Sequence, residues 1–134
     1  MVSNKTGDIL SYGFNCSLPN HDRTSIHSEE NAWYEFKRLW KNRQISEKKL
    51  RSGVTMINLA LTPSHTIRMS KPCKKCSNFI TKNANVIREV HWSDADGQMR
   101  SRKTSEGFSD ATLSSGDKNK HLKKAKKKKN NKNM

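Results

Sequence analysis

The chain is poor in the residues that build a large apolar core and poor in negative charge. Hydrophobic residues make up 31 % of its 134 positions and aromatic residues 7 %, and 12 aspartates and glutamates stand against 27 lysines and arginines. No apolar run approaches the roughly 18 residues that indicate a membrane-spanning helix, so we expect no contact with a membrane. The length allows one domain.

Secretion signals and cysteines are also scarce. The segment MVSNKTGDIL lacks a charged stretch followed by an apolar one, which is the pattern of a secretion signal. We therefore expect an intracellular protein, cytoplasmic or nuclear. Of three cysteines, two form a C-x-x-C motif at Cys73 and Cys76. In a reducing compartment this motif is typical of metal or redox chemistry rather than of a disulfide framework.

Positive charge is concentrated towards the C-terminus. Residues 100–134 hold 12 basic and 3 acidic residues, a net charge of +9, and the preceding 99 residues hold 15 and 9, a net charge of +6. The end of the chain, KNKHLKKAKKKKNNKNM, has almost no apolar side chain whose burial could offset the entropy of ordering it. We predict a domain over residues 1–99 and a disordered Lys-rich tail over residues 100–134.

The lysine-rich tail has three interpretations. Its lysines can neutralise phosphates and so attract nucleic acid without regard to sequence. The run KKAKKKK also resembles a nuclear or nucleolar address. The third interpretation is a solubilising extension with no specific partner. No aromatic residue interrupts the lysines, so base stacking is not expected there.

Hydrophobic periodicity predicts alternating strands and helices. GDILSYGFN (7–15), VTMINLALT (54–62) and VIREVHW (86–92) are typical of strands. Residues 29–40 carry apolar side chains at helical spacing, and Pro72 begins a second helix. The order β-α-β-α-β predicts an α/β fold with right-handed crossovers and a parallel sheet.

Metal-binding residue types lie at the start of both predicted helices. His27 and Glu29 begin the first helix, and Cys73 and Cys76 occupy the first turn of the second. Both helices follow the carboxyl ends of parallel strands, where open α/β sheets bind ligands. The cysteines are three residues apart, so their sulfurs share one helix face, and the positive helix end favours the thiolate. One imidazole and two thiolates form a zinc-binding set with an open fourth position, and Glu29 can take a proton from water there.

The motifs His27-Ser28-Glu29 and Pro72-Cys73-Lys74-Lys75-Cys76 together resemble those of the zinc-dependent cytidine and deoxycytidylate deaminase superfamily. The resemblance covers roughly residues 2–99. It implies a three-layer α/β/α sandwich with a mostly parallel sheet, here apparently shortened at the N-terminus. It also implies one zinc ion per chain, held by His27, Cys73 and Cys76.

The resemblance further implies an activity and a role for each site residue. Water activated by zinc would attack a cytosine-type base, with adenine as the less expected alternative, in a nucleoside, a nucleotide or a single-stranded nucleic acid. Glu29 would shuttle protons. Asn15, in the YGFN segment, matches a residue that contacts the sugar or base of the substrate, and backbone amides near Ser28 and Cys73 would hold the base. A homo-oligomer would cover a sheet face that the shortened fold leaves exposed.

Each motif also allows another interpretation. The C-x-x-C pair alone is consistent with a thiol redox protein. A catalytically inactive deaminase-fold module could bind RNA or a protein partner and hold a structural zinc, although such a site makes no use of Glu29. Lys74 and Lys75 are expected to face solvent. A four-ligand structural zinc site would draw its remaining ligands from Cys16, His21, His65 or His91.

Overall fold

The computed structural model describes residues 1–17 and 25–112 and shows a mixed α/β fold. A four-stranded sheet has the order β1-β4-β7-β8, and two small antiparallel pairs, β2-β3 and β5-β6, stand beside it. The elements are β1 (Val2–Ser3), β2 (Cys16–Ser17), β3 (Ser25–Ile26), α1 (Ser28–Lys41), α2 (Glu47–Leu50), β4 (Val54–Asn58), β5 (Ala60–Leu61), β6 (Ile67–Arg68), α3 (Lys74–Lys82), β7 (Ile87–Ser93), β8 (Met99–Lys103) and a 3-10 turn (Thr104–Glu106). No helix in these ranges is long and apolar enough to cross a membrane.

The two long helices and the two central strands agree with the elements predicted from hydrophobic periodicity. Helix α1 matches the helix predicted over 29–40, and α3 begins two residues after Pro72. Strands β4 and β7 form the predicted parallel pair, with Met56 beside Val90. The apolar run predicted as one strand is divided, because its second half leaves the main sheet to form β5 and pairs with β6.

The sheet is mixed rather than mostly parallel. Among the described strands only β4 and β7 run parallel, while β1 lies antiparallel to β4 and β8 antiparallel to β7. Residues 94–97 explain the direction of β8. Asp94 and Gly97 close a tight turn there, with Gly97 at a φ of 81°, and a short turn can join only antiparallel strands.

The strand predicted over residues 7–15 is wrong for most of its length. It contributes one isolated bridge, between Val2 and Ile9, and the rest follows no strand. The amide of Leu10 still donates to the carbonyl of Met1 at 2.8 Å, after which the segment leaves the sheet and lies on α1. Its polar groups there bind helix α1 instead of a neighbouring strand.

One apolar cluster joins both long helices to one face of the sheet. Phe36 of α1 and Ile80 of α3 are fully buried in it, together with Met56 and Val90 from the central strands. Side chains alternate along a strand, so Ile57 lies on the opposite face, where it is 45 % exposed. In the described residues the helices thus cover one face, and the three-layer arrangement is not confirmed.

The packed structure continues past the domain boundary predicted at residue 99. Strand β8 pairs along β7, and the ring of Phe108 packs against that of Trp92 with 6.4 Å between centroids. Asp110 accepts hydrogen bonds from the Arg102 guanidinium at 2.8 and 3.1 Å. These contacts show that packed structure reaches at least residue 110.

The rest of the predicted tail, residues 113–134, lies outside the described residues. Its predicted disorder and its interaction with nucleic acid remain predictions from the sequence.

Candidate metal centre

The N-termini of α1 and α3 meet at the candidate metal centre. His27 is the N-cap residue of α1 and Cys73 is the N-cap residue of α3, both with extended backbone. The first amide of α3, that of Lys74, donates to the carbonyl of Thr112 at 2.8 Å. The backbone at Thr112 therefore contacts the start of α3, the helix that carries both cysteines.

Three predicted ligands come together at distances that suit a metal ion. Nδ1 of His27 lies 3.4 Å from Sγ of Cys73 and 3.3 Å from Sγ of Cys76, and all three donor atoms lie within 4.8 Å of one another. Tetrahedral zinc with ordinary bond lengths would place nitrogen and sulfur ligands about 3.5 Å apart. The prediction that the topology unites these residues is confirmed, and the donor set fits a metal.

The two thiols do not ionise alike. A hydrogen bond from the Cys76 thiol, helped by the nearby His27, lowers the pKa of Cys73 to about 5. Donating that bond, together with burial, raises the pKa of Cys76. A metal ion that binds both sulfurs must therefore displace the proton of Cys76, so metal affinity rises with pH.

The candidates for a fourth protein ligand do not join this cluster where their side chains are described. His65 is exposed in the turn between β5 and β6, and His91 of β7 bonds to Glu89 at 3.0 Å. The side chains of Cys16 and His21 lie outside the description. Among the described residues the set has three ligands, as in sites that keep one coordination position open.

Glu29 is the second residue of α1, two positions after His27, and both of its carboxylate oxygens accept hydrogen bonds. Oε2 accepts from the hydroxyl of Ser28 at 3.1 Å, and Oε1 accepts from Nδ2 of Asn58 at 3.1 Å. Burial raises the pKa of the Glu29 carboxyl, and the charge of Cys73 adds to the rise while that of His27 opposes it. Such a carboxyl exchanges a proton closer to neutral pH than an exposed one does.

Asn58 is the site residue that the sequence analysis missed. It ends β4 on the inner face, is 8 % exposed, and bonds to Glu29. Its one signal in the sequence is a polar residue inside the apolar run VTMINLALT, and the sequence does not show that the strand ends there.

Replacing Asn58 with leucine tests whether its hydrogen bond to Glu29 matters for function. The side chains are similar in size, but leucine donates no hydrogen bond, and a bond to a charged group contributes about 1.5–3 kcal/mol. We expect any deamination rate to fall at least about tenfold while zinc content is unchanged. Asn85→Leu, at an exposed position between α3 and β7, is the control. An unchanged rate in Asn58→Leu would show that Glu29 needs no such support.

Asn15 and Ser28 lie at the site but bind each other. The backbone amide of Ser28 donates to Oδ1 of Asn15 at 2.8 Å, so Asn15 caps helix α1. The predicted contact of Asn15 with a substrate stays a prediction, and its Oδ1 is engaged by the Ser28 amide. The Ser28 amide, predicted to hold the base, is engaged while this hydrogen bond lasts.

The loop that carries Asn15 lies directly on helix α1. The hydroxyl of Ser11 donates to the carbonyl of Ala32 at 2.8 Å, and a methyl group at Gly13 would overlap both the carbonyl oxygen of Ser28 and the amide of Ala32. Only a residue without a side chain fits at that contact.

Gly13→Ala is expected to lift the loop from α1. Overpacking of this kind costs about 1–3 kcal/mol, so the free energy of unfolding should fall by that amount in chemical denaturation. Tyr12→Ala is the control, because Tyr12 is its neighbour and is 66 % exposed. Equal stability of Gly13→Ala and the unaltered protein would contradict the close contact.

Lys75 was expected only to face solvent, but it also forms an ion pair. Its Nζ lies 3.1 Å from Oε1 of Glu30, a residue of α1 that is 8 % exposed. The pair links the first turns of the two helices that supply the metal ligands.

An open cleft of about 590 Å³ adjoins the centre. Glu29, Ser28 and Asn15 line it, whereas His27 and the two cysteines are not among its lining residues. The volume is in the range of ordinary ligand sites. A molecule in this cleft would meet Glu29.

Comparison of the chain with protein-family models, curated proteins and solved structures found no match. The structure itself defines a class: a mixed α/β domain in which a histidine and two cysteines lie close enough to hold a metal ion. Any more specific function rests on the residues of the site.

Proposed function

We propose that this protein is a zinc-dependent hydrolytic deaminase of the cytidine/deoxycytidylate type, acting on a cytosine-type base. The observation that carries the proposal is the position of Glu29. This partly buried carboxylate, two residues after His27 of the His/Cys/Cys cluster, lines an open cleft. A metal with a purely structural role has no use for such a group.

Zinc is the metal that suits the donor set. Two thiolates and one imidazole are soft to borderline ligands, and three protein ligands with an open position are typical of catalytic zinc. When bound, zinc supplies a Lewis acid that lowers the pKa of water towards neutrality.

The side chains of this protein would handle the protons. Hydrolytic deamination replaces the exocyclic amino group of the base with oxygen and releases ammonia, so protons of water must reach the ring nitrogen and the leaving amino group. Glu29 would accept and return these protons at its carboxylate, a task that suits its raised pKa. Ser28 and Asn58 would hold the two oxygens in place.

The direct test is ammonia release by the zinc-loaded full chain. The panel should contain cytidine, cytidine and deoxycytidine monophosphates, adenosine and single-stranded oligonucleotides. Release from a cytosine-containing substrate is the expected result. No release from any of them would overturn the proposal in favour of a non-catalytic module with structural zinc.

A three-layer sandwich remains part of this proposal. The third layer would pack on the sheet face that carries Ile57 and would be formed by groups other than the described residues. A second copy of the chain could supply it. Light scattering should then give a molar mass above that of one 15.4 kDa chain. A monomer would exclude that source.

We also propose that the lysine-rich tail adds a non-specific attraction to nucleic acid. Residues 118–134 contain nine lysines and no acidic residue. Deleting them should weaken binding to single strands and lower the slope of log K against log salt by up to about 6, because each neutralised phosphate contributes about 0.7. Deamination of a free nucleotide should persist.

A tail of the same length with glutamine in place of lysine is the matched control. It should behave like the deletion if charge is what matters. If both variants bind single strands as the unaltered chain does, with the same salt slope, the tail is an address or a solubilising extension.

A further inference from the structure

Two large aromatic side chains stand exposed at the cleft that contains Glu29. Tyr12 is 66 % exposed and Phe14 is 74 % exposed, and both line the cleft. A site for a small free ligand normally encloses 70–90 % of the ligand surface. The high exposure of Tyr12 and Phe14 suits a ligand that extends beyond the cleft. Exposed aromatic rings also offer flat faces on which nucleic-acid bases stack.

The charge at the cleft fits a phosphate-bearing ligand. Arg68 lines it, is exposed, and makes no ion pair with any residue that the structure describes. Among the described residues Glu29 is the one acidic side chain in the lining. The whole chain carries a formal charge of +15, which attracts polyanions from a distance.

We infer that the cleft binds a base within a single-stranded nucleic acid, with Tyr12 and Phe14 stacking on neighbouring bases and Arg68 contacting a phosphate. This inference rests on the proposed function and names its substrate class as polymer rather than free nucleotide. A single strand is the favoured ligand because a paired base would first have to be flipped out of its duplex, at a cost of about a few kcal/mol.

The test measures binding separately from catalysis. Zinc-loaded full chain with Glu29→Gln, which is not expected to turn over the substrate, is titrated against a fluorescently labelled single strand of about 12 cytosine nucleotides, and anisotropy gives Kd. Tyr12→Ala and Phe14→Ala should each weaken binding roughly 5- to 150-fold, the effect of losing one stacked base. Tyr12→Trp and Phe14→Trp should retain it, since tryptophan also stacks.

Two further variants sharpen the test. Tyr34→Ala is the matched control, because Tyr34 is a 54 % exposed aromatic on α1 that does not line the cleft, and its Kd should be unchanged. Arg68→Gln should lower the salt slope of binding by about 0.7. The tail is present in every variant, so its contribution cancels in the comparison.

The outcomes separate this inference from the proposed function. Unchanged Kd in the double variant Tyr12→Ala/Phe14→Ala, or equal affinity for duplex, overturns the inference even where free cytidine is deaminated. A dimer that the double variant dissociates, with oligonucleotide binding unaltered, also overturns it and assigns the rings to an interface between two copies. Ring-dependent binding without ammonia from any substrate supports the binding mode and overturns the deaminase.

Discussion

Cys76→Ser is expected to yield a protein that holds no zinc and has lost much of its stability. Cys76 is fully buried between the helices and lies 3.3 Å from Nδ1 of His27, so its loss leaves two ligands where three are needed. Metal binding energy is folding energy in such a site. At a free zinc concentration one thousand times Kd the loss would be about 4 kcal/mol. The zinc content should fall from one ion per chain to none, and the midpoint of chemical denaturation should also fall.

Cys16→Ser is the control for the Cys76 variant. A site with three protein ligands should keep its zinc when Cys16 is replaced, whereas a four-ligand structural site that includes Cys16 would lose it. Fully folded, metal-free protein after purification without chelators would contradict the zinc site and favour a thiol redox pair at Cys73 and Cys76.

Glu29→Gln is expected to abolish deamination and to leave zinc and fold in place. Glutamine has nearly the same shape and can still accept the hydrogen bond from Asn58. It cannot take up a proton, and loss of general acid–base catalysis typically lowers the rate about 100- to 10,000-fold. Because burial disfavours the charged form of Glu29, the neutral amide should cost little stability. Ammonia release, zinc content and thermal unfolding together test this.

Glu30→Gln is the matched control, one residue further along the same helix turn. It removes the charge opposite Lys75 without touching the cleft, so it should retain the deamination rate. A Glu29→Gln variant as active as the unaltered protein would remove Glu29 from the mechanism. Loss of zinc in that variant would instead give the carboxylate a structural role.

Much of the site could be predicted because its residues are fixed to helix starts. The period of apolar side chains places α1 and α3, and the motifs put His27 and Cys73 at their N-caps and Cys76 in the first turn of α3. Because β4 and β7 are parallel, the crossover between them starts α3 at the carboxyl end of β4, as predicted. The start of α1 reaches the same place without the parallel strand that was predicted before it, so the position of His27 depends on tertiary contacts.

Other features depend on contacts between residues far apart in the chain. Residues 7–15 have the composition of a strand, yet their polar groups bind helix α1. No local pattern indicates whether such groups will bind a neighbouring strand or a helix. The packing of residues 99–110 against the sheet was not predicted, for a similar reason. Trp92, Phe108 and Asp110 are separated by turns, and their packing appears only when the chain folds back.

Helices α1 and α3, the central strands and the set of metal-binding residues could be predicted, because each depends on local periodicity and spacing. The direction of the outer strands, the capping of α1 by Asn15 and the hydrogen bond from Asn58 to Glu29 became visible only in the folded chain. These depend on which backbone and side-chain groups lie opposite one another in space. A polar group leaving water binds the partner nearest to it after folding, and sequence distance does not reveal that partner.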